Sequence, residues 1–252
     1  MNKYDLSGKT AIVAGGSRGI GRAAAEALCE AGARVAVTGS SGAAATTAEA
    51  LRSKGHDACS LQWDLRERGQ IPAMFDKCVG MLGGRLDVIV NSAGVVRRHK
   101  SEDYPIEDWD YLIDVNLSAC FQLCQLAGRV MLAQGGGKII NVASMLSFFG
   151  GITVPAYAAS KGGVAQMTKA LSNEWASRGV CVNAIAPGYI DTDLNVNLLN
   201  DPKRYAEITA RIPAGRWGKP EDIKGLINFL ASDASDYICG AVIPVDGGYL
   251  AR

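Results

Sequence analysis

The chain has 252 residues, a length that suits one large domain or two small ones and allows a substantial core. Of these residues, 48% are hydrophobic and 20% are charged. This composition excludes a largely disordered chain. Lys and Arg number 26 against 25 Asp and Glu, and the resulting net charge of +1 argues against a nucleic-acid-binding protein and gives no support to a polybasic membrane anchor.

Short apolar runs alternate along the chain with longer segments that have helical features. In chain order, the predicted strands cover residues 10–14, 34–38, 58–62, 86–90, 138–142, 180–185 and 241–245. The predicted helices cover residues 20–31, 43–53, 71–82, 106–132, 156–178 and 221–231. Regular alternation, with strands that are almost continuously apolar, is typical of a parallel sheet buried on both faces. We therefore expect an α/β fold, a doubly wound parallel sheet in a single domain that spans residues 1–252.

The least regular part of the chain is residues 188–219, between the sixth predicted strand and the next helix. A connection of this length inside a compact domain usually serves function. We expect a lid or substrate loop here.

Seven cysteines are scattered without a Cys-x-x-Cys pair, and the two histidines complete no zinc pattern. We expect buried thiols in a reducing compartment and no metal site. The first residues lack the apolar stretch of a signal peptide, and no run of about 18 uncharged apolar residues predicts a membrane span. The sequence thus favours a cytoplasmic protein with neither a membrane nor a nucleic acid as a partner.

A glycine-rich turn, Gly15-Gly16-Ser17-Arg18-Gly19-Ile20-Gly21, joins the first strand to the first helix. Glycines in such a turn let the backbone approach a pyrophosphate, and the helix N-terminus offers free N–H groups and a partial positive charge. The spacing G-x-x-x-G-x-G differs from the common G-x-G-x-x-G pattern. Its position inside a βαβ unit nevertheless favours a dinucleotide site over a purely structural turn.

The residues after the second strand indicate which dinucleotide is bound. An NAD site usually has Asp or Glu here to bind the ribose 2′-hydroxyl, whereas this segment reads Val37-Thr38-Gly39-Ser40-Ser41. The guanidinium of Arg18, inside the glycine turn, can pair with a 2′-phosphate. We therefore favour NADP(H). NAD(H) is the alternative if Arg18 is only a solvated surface residue and Ser40 holds the 2′-hydroxyl.

Ser144, Tyr157 and Lys161 form a pattern suited to proton transfer. Tyr157 and Lys161 are four residues apart in a predicted helix and therefore share one face. A free tyrosine has a pKa of about 10, but a nearby ammonium and a nicotinamide cation both lower it. The Ser144 hydroxyl can hold the oxygen of an alcohol or ketone, so the three groups suit the interconversion of these two functional groups.

The sequence resembles the short-chain dehydrogenase/reductase family in motifs that recur in order across nearly the whole chain. These motifs are Gly15–Gly21, Asn91-Ser92-Ala93-Gly94, Asn116, Ser144, Tyr157-x-x-x-Lys161 and Pro187-Gly188. The resemblance implies a Rossmann-type domain, a nicotinamide cofactor and a homotetramer. Ala14 and Ser92 depart from the commonest pattern, in which Thr and a second Asn stand at these positions, and neither departure affects the expected chemistry.

The resemblance also implies roles for individual residues. Tyr157 is similar to the general acid/base of the family, Lys161 to the residue that lowers the tyrosine pKa and binds the nicotinamide ribose, and Ser144 to the donor to the substrate oxygen. Asn116 is similar to the residue that holds a water in a proton relay. The implied cofactor-binding residues are Gly15, Ser17, Arg18, Gly19, Ile20, Gly21, Ser40, Asp64, Leu65, Asn91, Ala93, Gly94, Tyr157, Lys161, Pro187, Gly188, Ile190 and Thr192.

Three further segments, around Ser144, at residues 211–218 and at residues 245–252, resemble bacterial sugar-acid dehydrogenases. These are the 2-deoxy-D-gluconate 3-dehydrogenase, 2-dehydro-3-deoxy-D-gluconate 5-dehydrogenase and gluconate 5-dehydrogenase types. A sugar acid needs a partner for its carboxylate, and a basic cluster, Arg97-Arg98-His99-Lys100, follows the fourth strand. We expect Arg97, Met145, Ser144 and Tyr157 to contact the substrate.

Three alternatives remain at this stage. The basic cluster can be a solvated loop balanced by Glu102 and Asp103. The enzyme can be a 3-oxoacyl carrier-protein reductase that reduces a 3-ketoacyl thioester. A cofactor-binding protein without activity is disfavoured because Tyr157 and Lys161 are both present.

Overall fold

A computed structural model describes residues 3–252 of the chain, which contain one seven-stranded sheet. The strands are β1 Thr10–Ala14, β2 Arg34–Gly39, β3 Ala58–Gln62, β4 Val88–Asn91, β5 Gly137–Val142, β6 Val180–Pro187 and β7 Val242–Val245. They lie in the order β3-β2-β1-β4-β5-β6-β7, and every pair of neighbours is parallel. The predicted doubly wound parallel sheet is therefore confirmed.

Helices cover both faces of this sheet. Within residues 3–252 the α-helices are α1 Gly19–Glu30, α2 Ala43–Ser53, α3 Ile71–Met81, α4 Ile106–Ile113, α5 Ala119–Gln134, α6 Pro155–Trp175, α7 Val196–Leu199, α8 Pro202–Thr209 and α9 Glu221–Ala231. One buried cluster joins one sheet face to α1, α2 and α9, and a second joins the other face to α3, α5 and α6. None of the helices among the described residues is long and apolar enough to cross a membrane.

The strand sequences explain this two-sided core. Successive side chains of a strand point to opposite faces, and in β1 Val13 belongs to the first cluster whereas Ile12 belongs to the second. In β5 the same division separates Ile140 from Ile139. Both faces must therefore be apolar, which is why the central strands read as continuous hydrophobic runs.

The chain departs from the predicted elements in two places near the cleft. The helix predicted over residues 106–132 is interrupted by a π-helical turn, Asp114–Ser118. Residues 188–219 contain the two short helices α7 and α8, and Ile208, Ile212 and Trp217 from this segment form a third buried cluster with Met145 and Tyr249. The segment is thus packed onto the domain by a small apolar core of its own.

Candidate active-site cleft

A cleft of about 1000 Å³ opens at the carboxyl ends of the strands. Its walls are the turn after β1, the segments that follow β2 to β6, and residues 188–219. The strand order changes direction between β1 and β4, and open parallel sheets bind ligands in the crevice that forms at such a point. One half of the cleft is lined by the turn after β1, and the other by residues around Lys161 and Tyr157.

The glycine turn forms the floor of one half of the cleft. The φ angle of Gly15 is +81°, and a Cβ atom there would lie 2.6 Å from the backbone nitrogen of Ala93. A Cβ atom at Gly21 would overlap the carbonyl oxygen of Gly15. No side chain caps α1, and its first turn has no acidic residue. Its free N–H groups and helix dipole therefore suit an anionic group such as a pyrophosphate.

The outer end of this half is lined by Ser40, after β2, and by Asp64 and Leu65, after β3. Asp64 accepts hydrogen bonds from Arg66, with a distance of 2.8 Å between Arg66 Nε and Asp64 Oδ2. These bonds hold the pKa of the Asp64 carboxyl below its ordinary value. The carboxylate is therefore ionised and already paired on one side.

Arg18 lies at the mouth of the cleft, where it joins the glycine turn to residues 188–219. Its side chain is 76% exposed, and its Nη1 atom lies 3.4 Å from Oδ2 of Asp193. A Cβ atom at Gly19 would lie 3.2 Å from Cγ2 of Thr192, so the following segment packs directly on the turn. The cofactor-side residues Pro187, Gly188 and Ile190 also line the cleft.

Lys161 is held at the centre of the cleft wall. Its side chain is buried, and Nζ donates a hydrogen bond of 2.6 Å to the carbonyl oxygen of Val142. Burial lowers the pKa of the ammonium to about 8. The Nζ atom lies 5.7 Å from the ring centre of Tyr157, which is one helical turn earlier on α6.

Tyr157 and Ser144 both line the cleft. Burial raises the pKa of the Tyr157 phenol, while the Ser144 side chain and the charge of Arg98 act in the opposite direction. The net direction is opposite to the one expected from the sequence, because burial outweighs the opposing effects of Ser144 and Arg98. Arg98, not Lys161, is the cation that favours the phenolate here.

Two of the candidate residues do not line the cleft. Asn91 is buried, and its Nδ2 atom donates a 2.9 Å hydrogen bond to Oδ1 of Asn141. Asn116 lies on the π-helical turn and exchanges two hydrogen bonds with the backbone of Val95, of 2.8 Å and 2.9 Å. Each asparagine therefore fixes the chain that forms the wall, and the expected direct contact of Asn91 with a cofactor has no support in its position.

Arg97 and Arg98 both border the substrate side of the cleft, but their surroundings differ. Arg97 Nε lies 3.8 Å from Oδ1 of Asp108, and its guanidinium carbon lies 5.5 Å from the ring centre of Tyr111. Arg98 has no ion pair among residues 3–252, and its charge acts on the phenol of Tyr157. The unpaired guanidinium whose charge acts on Tyr157 thus belongs to Arg98, whereas the sequence analysis selected Arg97.

Sequence reasoning also missed Ser147, whose hydroxyl lies between Ser144 and Lys161. The spacing Ser144-x-x-Ser147 was the available signal, because a serine three residues after an N-cap serine can complete a capping box. Met145, which was expected to contact the substrate, is buried at the base of the cleft.

Comparisons with known proteins agree with this geometry. Residues 14–250 match the family described as enoyl-(acyl carrier protein) reductase. The chain is 47% identical over 250 residues to the 2-dehydro-3-deoxy-D-gluconate 5-dehydrogenase of Bacillus subtilis (strain 168), and the match covers 99% of this chain and 97% of that protein. It is 38% identical over 246 residues to a 3-oxoacyl-(acyl-carrier-protein) reductase of Aquifex aeolicus (strain VF5), with 96% and 98% covered.

A solved structure of similar fold is the gluconate 5-dehydrogenase from Burkholderia cenocepacia J2315 in complex with NADP and tartrate. The TM-score is 0.96 at 38% sequence identity, and the match covers 100% of this chain and 98% of that chain.

Proposed function

Because the chain belongs to the short-chain dehydrogenase/reductase family, as its motifs predict, we propose that it transfers a hydride between a nicotinamide cofactor and a secondary alcohol or ketone of a sugar acid. The observation that carries this proposal is that Arg98, which has no ion pair in the described residues, lines the same cleft as Tyr157 and acts on its phenol through its charge. A sugar acid has one carboxylate, and a guanidinium binds a carboxylate through two parallel hydrogen bonds. Arg98 replaces Arg97 as our candidate for this contact.

The cleft fits a dinucleotide. The glycine turn leaves room for the backbone to approach a pyrophosphate, and the uncapped N-terminus of α1 offers donors to it. When bound, the nicotinamide accepts or supplies the hydride. We assign the cofactor contacts to the residues predicted from the sequence, with Asn91 as a buried support of the wall.

In the direction of oxidation, the substrate hydroxyl loses a proton while the adjacent carbon loses a hydride. The ionised phenol oxygen of Tyr157 takes this proton and becomes the neutral phenol, and the Ser144 hydroxyl holds the substrate oxygen at the same point. The charge of Arg98 and the positive charge of the oxidised cofactor shift the phenol toward its ionised form, and Lys161 is assigned to the nicotinamide ribose, as the resemblance implies. Asn116 fixes the loop that faces Lys161, since a Cβ atom at Gly94 would lie 3.5 Å from both Asn116 Oδ1 and Lys161 Nζ.

We further propose that NADP(H) is preferred over NAD(H). Arg18 is exposed and faces solvent at the mouth of the cleft, and the end of β2 carries no carboxylate that would repel a 2′-phosphate. The structure from Burkholderia cenocepacia contains NADP. Ser40 and its neighbours remain the candidate contacts for the 2′-hydroxyl of NAD(H).

The proposal extends to the whole protein. We assign a lid function to residues 188–219 because they pack on the glycine turn and also line the substrate side. We propose a homotetramer because the family resemblance implies one, and the exposed apolar side chains of Ile106 and Phe121 are available to an interface. We propose a cytoplasmic location from the cofactor requirement and the unpaired cysteines in the described residues.

A substrate panel tests the function. Gluconate-type sugar acids and their keto forms, matched neutral polyols and an acetoacetyl thioester are assayed through the absorbance of the reduced cofactor, with NAD(H) and NADP(H) in parallel. We expect the highest kcat/KM with a sugar acid. The Tyr157→Phe variant should lose activity by about 10²–10⁴-fold and still bind cofactor. Higher kcat/KM with the thioester would instead establish the carrier-protein reductase alternative.

A further inference from the structure

Ser147 joins the two parts of the chain that carry the reacting groups. It ends the short helix Met145–Ser147, which begins directly after Ser144. The Ser147 hydroxyl accepts a hydrogen bond of 3.3 Å from the backbone nitrogen of Ser144 and donates one of 2.7 Å to the carbonyl oxygen of Lys161. The hydroxyl thus uses its donor and one of its acceptor sites in these two bonds.

The two bonds of Ser147 add to other hydrogen bonds that hold Ser144 and Lys161 in place. Ser144 has extended backbone, with φ −162° and ψ 160°, and its own hydroxyl accepts a 3.1 Å bond from the nitrogen of Leu146. Lys161 is fixed at its side-chain end by Val142 and at its backbone by Ser147. Ser147 therefore connects the loop after β5, through Ser144, to helix α6, through Lys161.

This tie also bears on Tyr157, which lies on the same helix as Lys161. Tyr157 lies one turn before Lys161 on α6, so a shift of the helix relative to the loop moves its hydroxyl away from Ser144. Ser147 is half-buried and does not line the cleft. It can therefore act on the reaction only through the residues that it holds.

We propose that Ser147 is a positioning residue, which keeps the Ser144 hydroxyl aligned with Tyr157 and Lys161 by bridging the two backbone segments. This inference rests on the proposed dehydrogenase function. Displacements of about 1 Å can reduce turnover about 10²-fold when they misalign reacting groups. The contribution of Ser147 should thus appear in kcat far more than in binding.

The first test compares Ser147→Ala with Ser147→Thr on the preferred sugar acid. We expect kcat to fall at least about tenfold in Ser147→Ala, with the Kd of NADPH and the KM of the sugar acid within error of the wild type. Ser147→Thr keeps a hydroxyl and should restore most of the activity. Wild-type kcat in Ser147→Ala would overturn the proposal.

A matched control separates positioning from stability. Ser235 is a fully buried serine whose hydroxyl also donates to carbonyl oxygens, those of Leu230 and Ser232, next to Lys138 at the amino end of β5. We expect Ser235→Ala to lower Tm at least as much as Ser147→Ala while leaving kcat unchanged. Equal losses of kcat in the two variants would mean that Ser147 acts through stability alone.

A second readout needs no substrate. Ionisation of Tyr157 is followed by the ultraviolet absorbance of the phenolate in the NADP complex, with the titration of Tyr157→Phe subtracted. The Ser144 side chain favours the phenolate, so a displacement of Ser144 in Ser147→Ala should raise the pH midpoint. An unchanged midpoint would contradict the positioning role, whereas a substrate panel without turnover but with a shifted midpoint would contradict only the proposed function.

Discussion

Arg97 and Arg98 are adjacent residues of one charge, yet their surroundings in the cleft differ. Asp108 and Tyr111 engage Arg97, whereas Arg98 lines the cleft and acts on the phenol of Tyr157 through its charge. The sequence placed both in a basic cluster at the correct end of a strand. It could not separate them, because the acid that pairs with Arg97 lies eleven residues further on, on α4.

We predict that Arg98→Gln raises the KM of a sugar acid by roughly ten- to a hundredfold, the range that corresponds to about 1.5–3 kcal/mol for a charge-assisted hydrogen bond. The kcat/KM of a neutral polyol should change little, because it has no carboxylate. Steady-state kinetics on the two substrates checks this. A larger effect of Arg97→Gln than of Arg98→Gln would restore Arg97 as the contact.

Arg18 provides a second prediction at this scale. Its ion pair with Asp193 is exposed on both sides and therefore contributes little, so a 2′-phosphate can displace it. We predict that Arg18→Ala weakens NADPH binding by about ten- to a hundredfold and leaves NADH binding almost unchanged. Fluorescence titration with both cofactors measures the two Kd values. Equal weakening of both would assign Arg18 to the turn alone.

The turn from β1 into α1 leaves no space for side chains at Gly15 and Gly21. Gly21 belongs to the buried face of α1 and packs against the carbonyl of Gly15. We predict that Gly21→Ala displaces the turn and greatly weakens binding of NADP(H) and NAD(H) alike, as isothermal titration would record. Gly225 on α9 has open space around a Cβ atom, and Gly225→Ala should raise stability by about 0.5–1 kcal/mol. Intact cofactor binding in Gly21→Ala would refute the steric argument.

The elements also separate what the sequence could predict from what it could not. Apolar runs and glycine stops placed all seven strands, because a sheet covered on both faces leaves nearly continuous apolar runs in its central strands. The π-helical turn at Asp114–Ser118 left no such trace, since one extra residue in a helical turn changes neither composition nor capping. The start of helix α8 could have been predicted, because Asp201 is a favourable N-cap residue and Pro202 a favourable first helical residue.

In the molecule as a whole, the buried ammonium of Lys161 links folding to pH. Its pKa is about 8 in the folded protein and 10.5 without the protein environment. Between these values the unfolded chain binds the additional proton, so the free energy of unfolding rises with pH over this window. Below pH 8 both states are protonated, and the folded protein bears the full cost of a buried charge.

We predict that the stability of the wild type relative to Lys161→Met increases by about 2 kcal/mol between about pH 7.5 and about pH 9.5. Urea unfolding of both proteins at the two pH values measures this difference, and other titrating groups cancel in the comparison. A constant difference would mean that Lys161 keeps an ordinary pKa in the folded protein.

The packing of Thr192 on Gly19, and of Asp193 beside Arg18, has a kinetic consequence. A sugar acid held by residues 188–219 would fasten this segment over the dinucleotide half of the cleft and block entry to it. Addition should therefore be compulsory-ordered, with the dinucleotide first on and last off. In product-inhibition experiments, the reduced dinucleotide should compete with the oxidised one and act noncompetitively against the sugar acid, whereas random addition would give competitive patterns against both.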